Sequence, residues 1–195
     1  MRLFLGIELD ERVRAAAVRA ADDLREALQA SAPGLVARWI PPANLHLTVW
    51  FIGEVPEATA EDLISALRRT PLAIPAFGLG LAGCGAFPPA GAPRVLWIGV
   101  RSGGESLAAL HREVAVRLEP LGFRPERRAF SAHLTLARVK DAGRLPPRTL
   151  RGAISAAPCK CGTMPVTALT LFRSRLSPRG ASYEPLLRVP LQVDG

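Results

Sequence analysis

Apolar and polar positions change period repeatedly along the chain, and each change predicts a new element. The apolar run over Met1–Glu8 reads as a strand, and from Asp10 the spacing lengthens, with Val13, Ala17, Ala20, Leu24 and Leu28 forming one stripe of an amphipathic helix to about Ala30. Ser31-Ala32-Pro33-Gly34 ends it. A short strand over Leu35–Ile40, the turn Pro41-Pro42-Ala43-Asn44 and a strand over Leu45–Ile52 follow, closed by Gly53. Pro56 opens a second helix, with Thr59 and Asp62 as a capping pair, Leu63, Ile64 and Leu67 as its buried side, and a stop near Thr70-Pro71.

Leu72–Leu81 and Arg94–Val100 read as strands joined by a Gly/Pro-rich link through Phe87-Pro88-Pro89-Ala90-Gly91. Helical spacing returns at Leu107, Leu110, Val114 and Leu118, and Gly122 terminates that helix. Phe130–Val139 is a strand, Pro146–Ala156 a weak helix, and Val166–Arg173 and Tyr183–Val193 are closing strands. Turns rather than long crossovers precede several strands, which favours an α+β protein with mainly antiparallel sheets over a doubly wound parallel one. The order strand, helix, strand, strand, helix of the first half is echoed loosely in the second, suggesting an internal pseudo-repeat.

One phrase occurs twice, nearly half the chain apart: Leu45-His46-Leu47-Thr48-Val49 and Ala132-His133-Leu134-Thr135-Leu136. Alternation along a strand points the histidine and threonine of each copy to the same face. Two imidazoles facing one cleft at neutral pH can be held one neutral and one protonated, so that one takes a proton while the other gives one. In-line displacement at phosphorus needs that pairing, and a hydroxyl two residues along each strand can donate to a non-bridging phosphate oxygen. A single His-x-Thr is better explained as ordinary strand filler, but two copies in matching context make coincidence unattractive. The third histidine, His111, lies one position beyond Leu110 and reads as a helix-surface or boundary residue.

Other chemistries fit less well. No Asp, Glu or Cys stands near either histidine at ligand spacing, so no metal is expected, and there is no G-x-S-x-G elbow. The Gly103-Gly104 pair lacks the lysine and spacing of a phosphate-binding P-loop. The three cysteines, Cys84, Cys159 and Cys161, support neither a disulfide framework nor a zinc site, which predicts reduced thiols and a cytoplasmic location. Neither a signal-peptide core nor a bilayer-spanning stretch is readable, so no membrane partner is expected. At 195 residues and 49% hydrophobic the chain can bury a proper core. Its net charge of +8 rests on arginine, Lys140 and Lys160 being the only lysines, and favours an anionic partner. An Ala/Arg/Pro-rich composition from GC-rich coding explains that excess equally well.

With these residues the sequence resembles the two-histidine (2H) phosphoesterases, and within them the RNA 2′,3′-cyclic phosphodiesterase group historically called 2′-5′ RNA ligases. The resemblance spans most of the chain. It runs through Arg2-Leu3-Phe4-Leu5-Gly6-Ile7, Arg38-Trp39-Ile40, Asn44-Leu45-His46-Leu47-Thr48 and Phe51-Ile52-Gly53, then Phe87-Pro88 and Pro93-Arg94-Val95-Leu96-Trp97. It continues through Gly122-Phe123-Arg124-Pro125-Glu126, Phe130-Ser131-Ala132-His133-Leu134-Thr135-Leu136-Ala137-Arg138, Leu171-Phe172-Arg173-Ser174 and Tyr183-Glu184-Pro185-Leu186. Ala43 and Ala132 depart from the family pattern, standing where an acidic residue and a proline are common.

The resemblance implies one domain over residues 1–195, built as two intertwined pseudo-repeat lobes with two pseudo-symmetric, mainly antiparallel sheets, flanking helices and a central basic cleft, each lobe giving one His-x-Thr. It implies metal-independent, cofactor-free hydrolysis of RNA 2′,3′-cyclic phosphate ends, on tRNA fragments or oligonucleotides, to 2′-phosphate, with weak 2′-5′ joining as a reverse activity, by a cytoplasmic monomer. His46 would be the proton donor to the departing 3′ oxygen and His133 the proton acceptor that activates water, with Thr48, Thr135 and Arg138 on phosphate oxygens. The near-equivalent phrases do not themselves say which histidine is the acid. Strict alternation puts Arg138 on the face opposite His133, so its role needs strand twist or a strand end; otherwise it is an exposed strand-end arginine. The same parity sends Phe51 towards the core and leaves Trp50 to flank the cleft, with base stacking the alternative for Phe51. A non-catalytic RNA or nucleotide binding module using the same cleft is the competing function.

Overall fold

The computed structural model describes residues 1–32, 34–69, 71–124, 129–144, 146–177 and 180–192; Pro33, Thr70, Pro125, Glu126 and Val193 of the sequence reading lie outside them. The chain runs β1 (Arg2–Glu8), α1 (Glu11–Ser31), β2 (Leu35–Trp39), a 3₁₀ turn (Pro42–Asn44), β3 (His46–Glu54), α2 (Glu57–Arg68), β4 (Leu72–Pro75), β5 (Phe77–Phe87) and β6 (Val95–Ser102). It continues with α3 (Gly104–Leu118), a second 3₁₀ turn (Glu119–Leu121), β7 (His133–Ala142), α4 (Pro147–Ala156), β8 (Lys160–Val166), β9 (Ala168–Ser177) and β10 (Gly180–Gln192).

The helices form where the apolar stripes lie. In α1 the expected Val13, Ala17, Ala20, Leu24 and Leu28 are the buried residues, and the Asp10 side chain caps the helix by accepting from the Val13 amide at 2.7 Å. In α2 the expected Thr59–Asp62 capping pair is not used: Pro56 is the N-cap and no side chain bonds the first turn. Proline's fixed φ already suits the entry to a helix. In α3 the buried side is Leu107, Leu110, Val114 and Leu118, as the spacing predicts. Among the described residues, no helix is long and apolar enough to cross a membrane.

The strands form one sheet, ordered β4-β10-β9-β1-β3-β7-β6-β5-β8, with β2 also pairing β7. Every pairing is antiparallel except β10 with β4. The expectation of two sheets is therefore corrected: β3 and β7 join both groups of strands into one, through a single pair, Leu47 with Leu134. Helices α2 and α3 pack beside β3, β4 and β10, whereas α1 and α4 pack beside β5 and β8. The strand expected over 72–81 is two strands, broken at Ala76, and the second runs on to Phe87, taking up part of the expected link. Lys160–Val166 is a strand that alternation does not reveal, because Gly162 and Pro165 interrupt it; at the end of the sheet order, a proline costs no ladder bond.

Leu47 and Leu134 are 1% and 0% exposed, so the junction is also a point of the core. Leu134→Ala is expected to lower unfolding free energy by about 2–5 kcal/mol in chemical denaturation. Leu176→Ala, at a side chain 69% exposed, is expected to change it by less than about 0.5 kcal/mol.

Candidate active site

The Leu47–Leu134 pair turns both leucines into the core, and alternation then turns His46, Thr48, His133 and Thr135 to the opposite face. Because the strands are antiparallel, His46 stands towards Thr135 and Thr48 towards His133. Residues nearly half the chain apart thereby meet around a local two-fold axis. Behind His46, β1 comes very close at Gly6: a Cβ there would lie 2.8 Å from the Leu47 carbonyl oxygen and 3.4 Å from His46 Cδ2, so glycine is needed. At the other copy, Trp97 pairs with Thr135, and its indole lies over Gly85, where a Cβ would approach the ring within 2.2 Å.

Both imidazoles are held in the same way. His46 Nδ1 is 2.7 Å from the Asn44 carbonyl and His133 Nδ1 is 2.7 Å from the Ser131 carbonyl, in each case two residues back. A carbonyl only accepts, so Nδ1 carries the hydrogen and Nε2 is the nitrogen turned to the cleft. His46 Nε2 lies 3.0 Å from Thr48 Oγ1, whereas His133 Nε2 has no hydrogen-bond partner among the described residues. Asn44 is itself anchored by donating from Nδ2 to the Ala181 carbonyl at 2.6 Å, which ties the turn before His46 to β10.

Aromatic rings surround the pair. Phe4 lies 4.7 Å from the His46 ring centroid, Tyr183 stands edge-on at 4.9 Å and Phe172 is at 6.0 Å. Phe87 stands edge-on to His133 at 4.9 Å and packs on Trp97 at 5.3 Å. Burial among these rings is the main cause that pushes both histidine pKa values below the ordinary 6.5; the carbonyl bond at Nδ1 opposes it, and the Arg138 cation adds to the lowering at both. His133 itself contributes to the lowering at His46.

Arg138 reaches the face of His133 and Thr135 because the strand does not alternate strictly. Between β6 and β7 the register slips: Leu96 pairs with Ala137, but Trp97 pairs with Thr135, leaving Leu136 as an extra, bulged residue. Leu136 and Ala137 are then both buried, and Arg138 comes out on the side of His133 and Thr135. The identical device occurs in β3. Leu5 pairs with Trp50 and Gly6 with Thr48, so Val49 is bulged, Val49 and Trp50 are both buried, and Phe51 emerges on the His46 side opposite Phe4. The parity expectations for Trp50 and Phe51 are thus reversed. Trp50, 5% exposed, packs 5.0 Å from His111 on α3 and does not flank the cleft, while Phe51 is 54% exposed. His111, midway along α3, is half-buried and stacks on Phe130 at 4.4 Å, on the boundary between core and surface as expected.

Strand alternation groups His46, Thr48, His133 and Thr135, but it assigns no role to Phe4, Phe87, Phe172, Tyr183 or the carbonyls of Asn44 and Ser131. The four rings come from four different strands that only the sheet order makes neighbours. Glu8 and Arg14 also line a recess beside His46, with Asn44 and Tyr183. Among the described residues no three His, Cys, Asp or Glu side chains gather to hold a metal ion. The three cysteines are free and buried, Cys159 Sγ lying 4.0 Å from Cys161 Sγ.

Comparison with known proteins places this geometry in a family. A protein of Archaeoglobus fulgidus named RNA 2′,3′-cyclic phosphodiesterase is 35% identical over 189 residues, covering 95% of this chain and 98% of its own. One of the same name from Thermus thermophilus is 35% identical over 205 residues, covering 98% and 91%. Among solved structures, TT0787 of Thermus thermophilus superposes with a TM-score of 0.78 at 31% identity over all of both chains. E. coli LigT complexed with 3′-AMP superposes with a TM-score of 0.71 at 27% identity over 97% of each. The family model described as the 2′-5′ RNA ligase superfamily matches residues 12–177, and with these relatives it shows that the chain belongs to that superfamily.

Proposed function

We propose that the protein hydrolyses RNA 2′,3′-cyclic phosphate ends to 2′-phosphates, without a metal, by paired histidine acid and base catalysis. The observation that carries this reading is the Leu47–Leu134 pairing, which sets two imidazoles and two threonine hydroxyls on one face. The named activity of the relatives supports the substrate class.

A cyclic phosphate placed over the two-fold axis meets one imidazole on each side. His133, with Nε2 unoccupied, takes a proton from water as the water oxygen attacks phosphorus. The bond from phosphorus to the 3′ oxygen breaks, and His46 delivers its proton to that oxygen, leaving a 3′ hydroxyl and a 2′-phosphate. Burial lowers the His46 pKa and so makes its imidazolium a stronger acid. Thr48 and Thr135 donate to the non-bridging oxygens, where negative charge grows in the transition state, and Arg138 supplies a cation on the same face. A 5′ hydroxyl in place of water gives 2′-5′ joining by the same displacement, which is expected as a weak activity.

With EDTA present, the purified protein is expected to convert a cyclic-phosphate-ended RNA to a 2′-phosphate, and His46→Ala or His133→Ala to lower kcat/KM by about 10²–10⁴-fold with the fold preserved. A 3′-phosphate product, or near-wild-type turnover in either variant, overturns the reading. Tight binding of the RNA end without ring opening shows instead a binding module.

The pKa directions fix a pH dependence. The base must be neutral and the acid protonated, and both histidines titrate below 6.5, so the bell in kcat/KM is expected to peak on the acid side of pH 6.5. Arg138→Gln removes a cation that lowers both values, so both limbs move to higher pH, along with a loss of rate. An unshifted or acid-shifted bell in that variant contradicts the placement of Arg138.

A further inference from the structure

We propose that Cys159 is a redox modification site, oxidised by a small hydroperoxide to a sulfenic acid that Cys84 then converts to a disulfide. The site is separate from the two histidines and does not depend on the reaction proposed for them. The chain has three cysteines, and the fold gathers all of them in one place. Cys84 is on β5, Cys161 is on β8 and Cys159 stands just before β8. These strands pair at the end of the sheet order, and the Gly83 amide donates to the Cys159 carbonyl at 3.0 Å, which brings Cys84 beside Cys159. Cys159 Sγ lies 4.0 Å from Cys161 Sγ, and the Cys84 thiol also hydrogen-bonds Cys159.

A neutral thiol is a weak donor and a weak acceptor, so such a cluster gains most when one sulfur is ionised and the others donate to it. Cys159 is the sulfur that accepts. Bonds from Cys161 and Cys84 push its pKa well below that of an ordinary thiol, against the opposing effect of burial and with help from the Gly83 amide. Hydrogen bonding to Cys159 and burial push both partners up. Buried thiols are ordinarily inert because they are neither ionised nor reachable, and Cys159 departs from that on both counts. It lines a recess of about 570 Å³ beside α1, with Arg19 and Lys160. Asp22 and Asp23 line it too, Asp22 being paired with Arg25 at 3.3 Å. Cys84 and Cys161, 7% and 4% exposed, do not line it, so they wait as thiols behind the sulfur that an oxidant meets.

In the first step the Cys159 thiolate attacks one oxygen of the hydroperoxide. An S–O bond forms, the O–O bond breaks, the sulfur gives up two electrons, and the leaving hydroxide or alkoxide takes a proton to become water or an alcohol. In the second, the Cys84 sulfur attacks the Cys159 sulfur, the S–S bond forms, and the hydroxyl departs with the Cys84 proton as water. Cys84 is the partner because a disulfide needs Cβ atoms about 3.5–4.5 Å apart, a reach suited to neighbouring strands about 4.8 Å apart. Joining Cys159 to Cys161, two residues on, closes a short ring that would pull the start of β8 away from β5.

The test is treatment of the reduced, folded protein with hydrogen peroxide, followed by blocking of free thiols, trypsin digestion and mass spectrometry. Cleavage after Arg151 and Lys160 leaves Cys84, Cys159 and Cys161 on three separate peptides, so the map names the bonded pair. In the wild type a Cys84–Cys159 link that dithiothreitol reverses is expected. In Cys84→Ser the reaction is expected to stop at the sulfenic acid of Cys159, trapped there by dimedone. In Cys159→Ser the loss of free thiols is expected to slow on the order of tenfold, because the remaining thiols are un-ionised and sheltered. A Cys159–Cys161 link, a dimedone adduct on Cys84 or Cys161 ahead of Cys159, wild-type oxidation in Cys159→Ser, or a wild type that keeps all three thiols overturns the proposal. The wild-type map decides the pairing without any variant, and no outcome depends on turnover of RNA.

Discussion

The site depends on one backbone pairing, Leu47 with Leu134. Among the described residues it is the only register pair between β3 and β7, and it fixes the arrangement of all four polar side chains. A slip of one residue in either strand would flip its side chains to the other face, burying a histidine in the core and exposing a leucine that is now sealed. The hydrophobic effect that holds the two leucines in thus also holds the two imidazoles out. Strand pairing acts here as the positioning device, and no loop has to find its place for the two imidazoles to meet.

Around that junction, opposing influences set the charge of the pair. Packing against Phe4, Tyr183 and Phe87 disfavours imidazolium, as does Arg138, while the Nδ1 bonds to Asn44 and Ser131 favour it. A phosphate anion entering the cleft offsets the arginine and favours a proton on one imidazole. On the proposed mechanism the arginine serves twice, as a contact for the anion and as a charge that adds to burial in disfavouring imidazolium in the empty site. The bulges at Val49 and Leu136 make this possible, because without them position 138 would point among the helices.

The apolar stripes of α1 and α3 and both histidine strands are legible in the sequence, because each rests on a local period that burial enforces. The shared face of His46 and Thr48, and of His133 and Thr135, follows from the same rule. That rule fails after Thr48 and Thr135. A bulge inserts one residue without any change in hydrophobic character, so Val49-Trp50 and Leu136-Ala137 read as ordinary alternation, and Trp50 and Phe51 exchange their expected places. Lys160–Val166 is hidden because an edge strand with glycine and proline carries no period. The aromatic surround is invisible for a different reason. Phe4, Phe87, Phe172 and Tyr183 become neighbours of the histidines only through the strand order, which no local pattern specifies.

On the proposed mechanism the two histidines divide the work across the junction, one giving a proton and the other taking one. The most direct measurement of that division is the pH profile of residual kcat/KM in His46→Asn and in His133→Asn on a cyclic-phosphate-ended RNA. With His46 as acid and His133 as base, His46→Asn loses the fall on the alkaline side of the bell, and His133→Asn loses the fall on the acid side. If both variants keep the wild-type bell, or if the missing limbs are exchanged, the proposed division of roles is wrong.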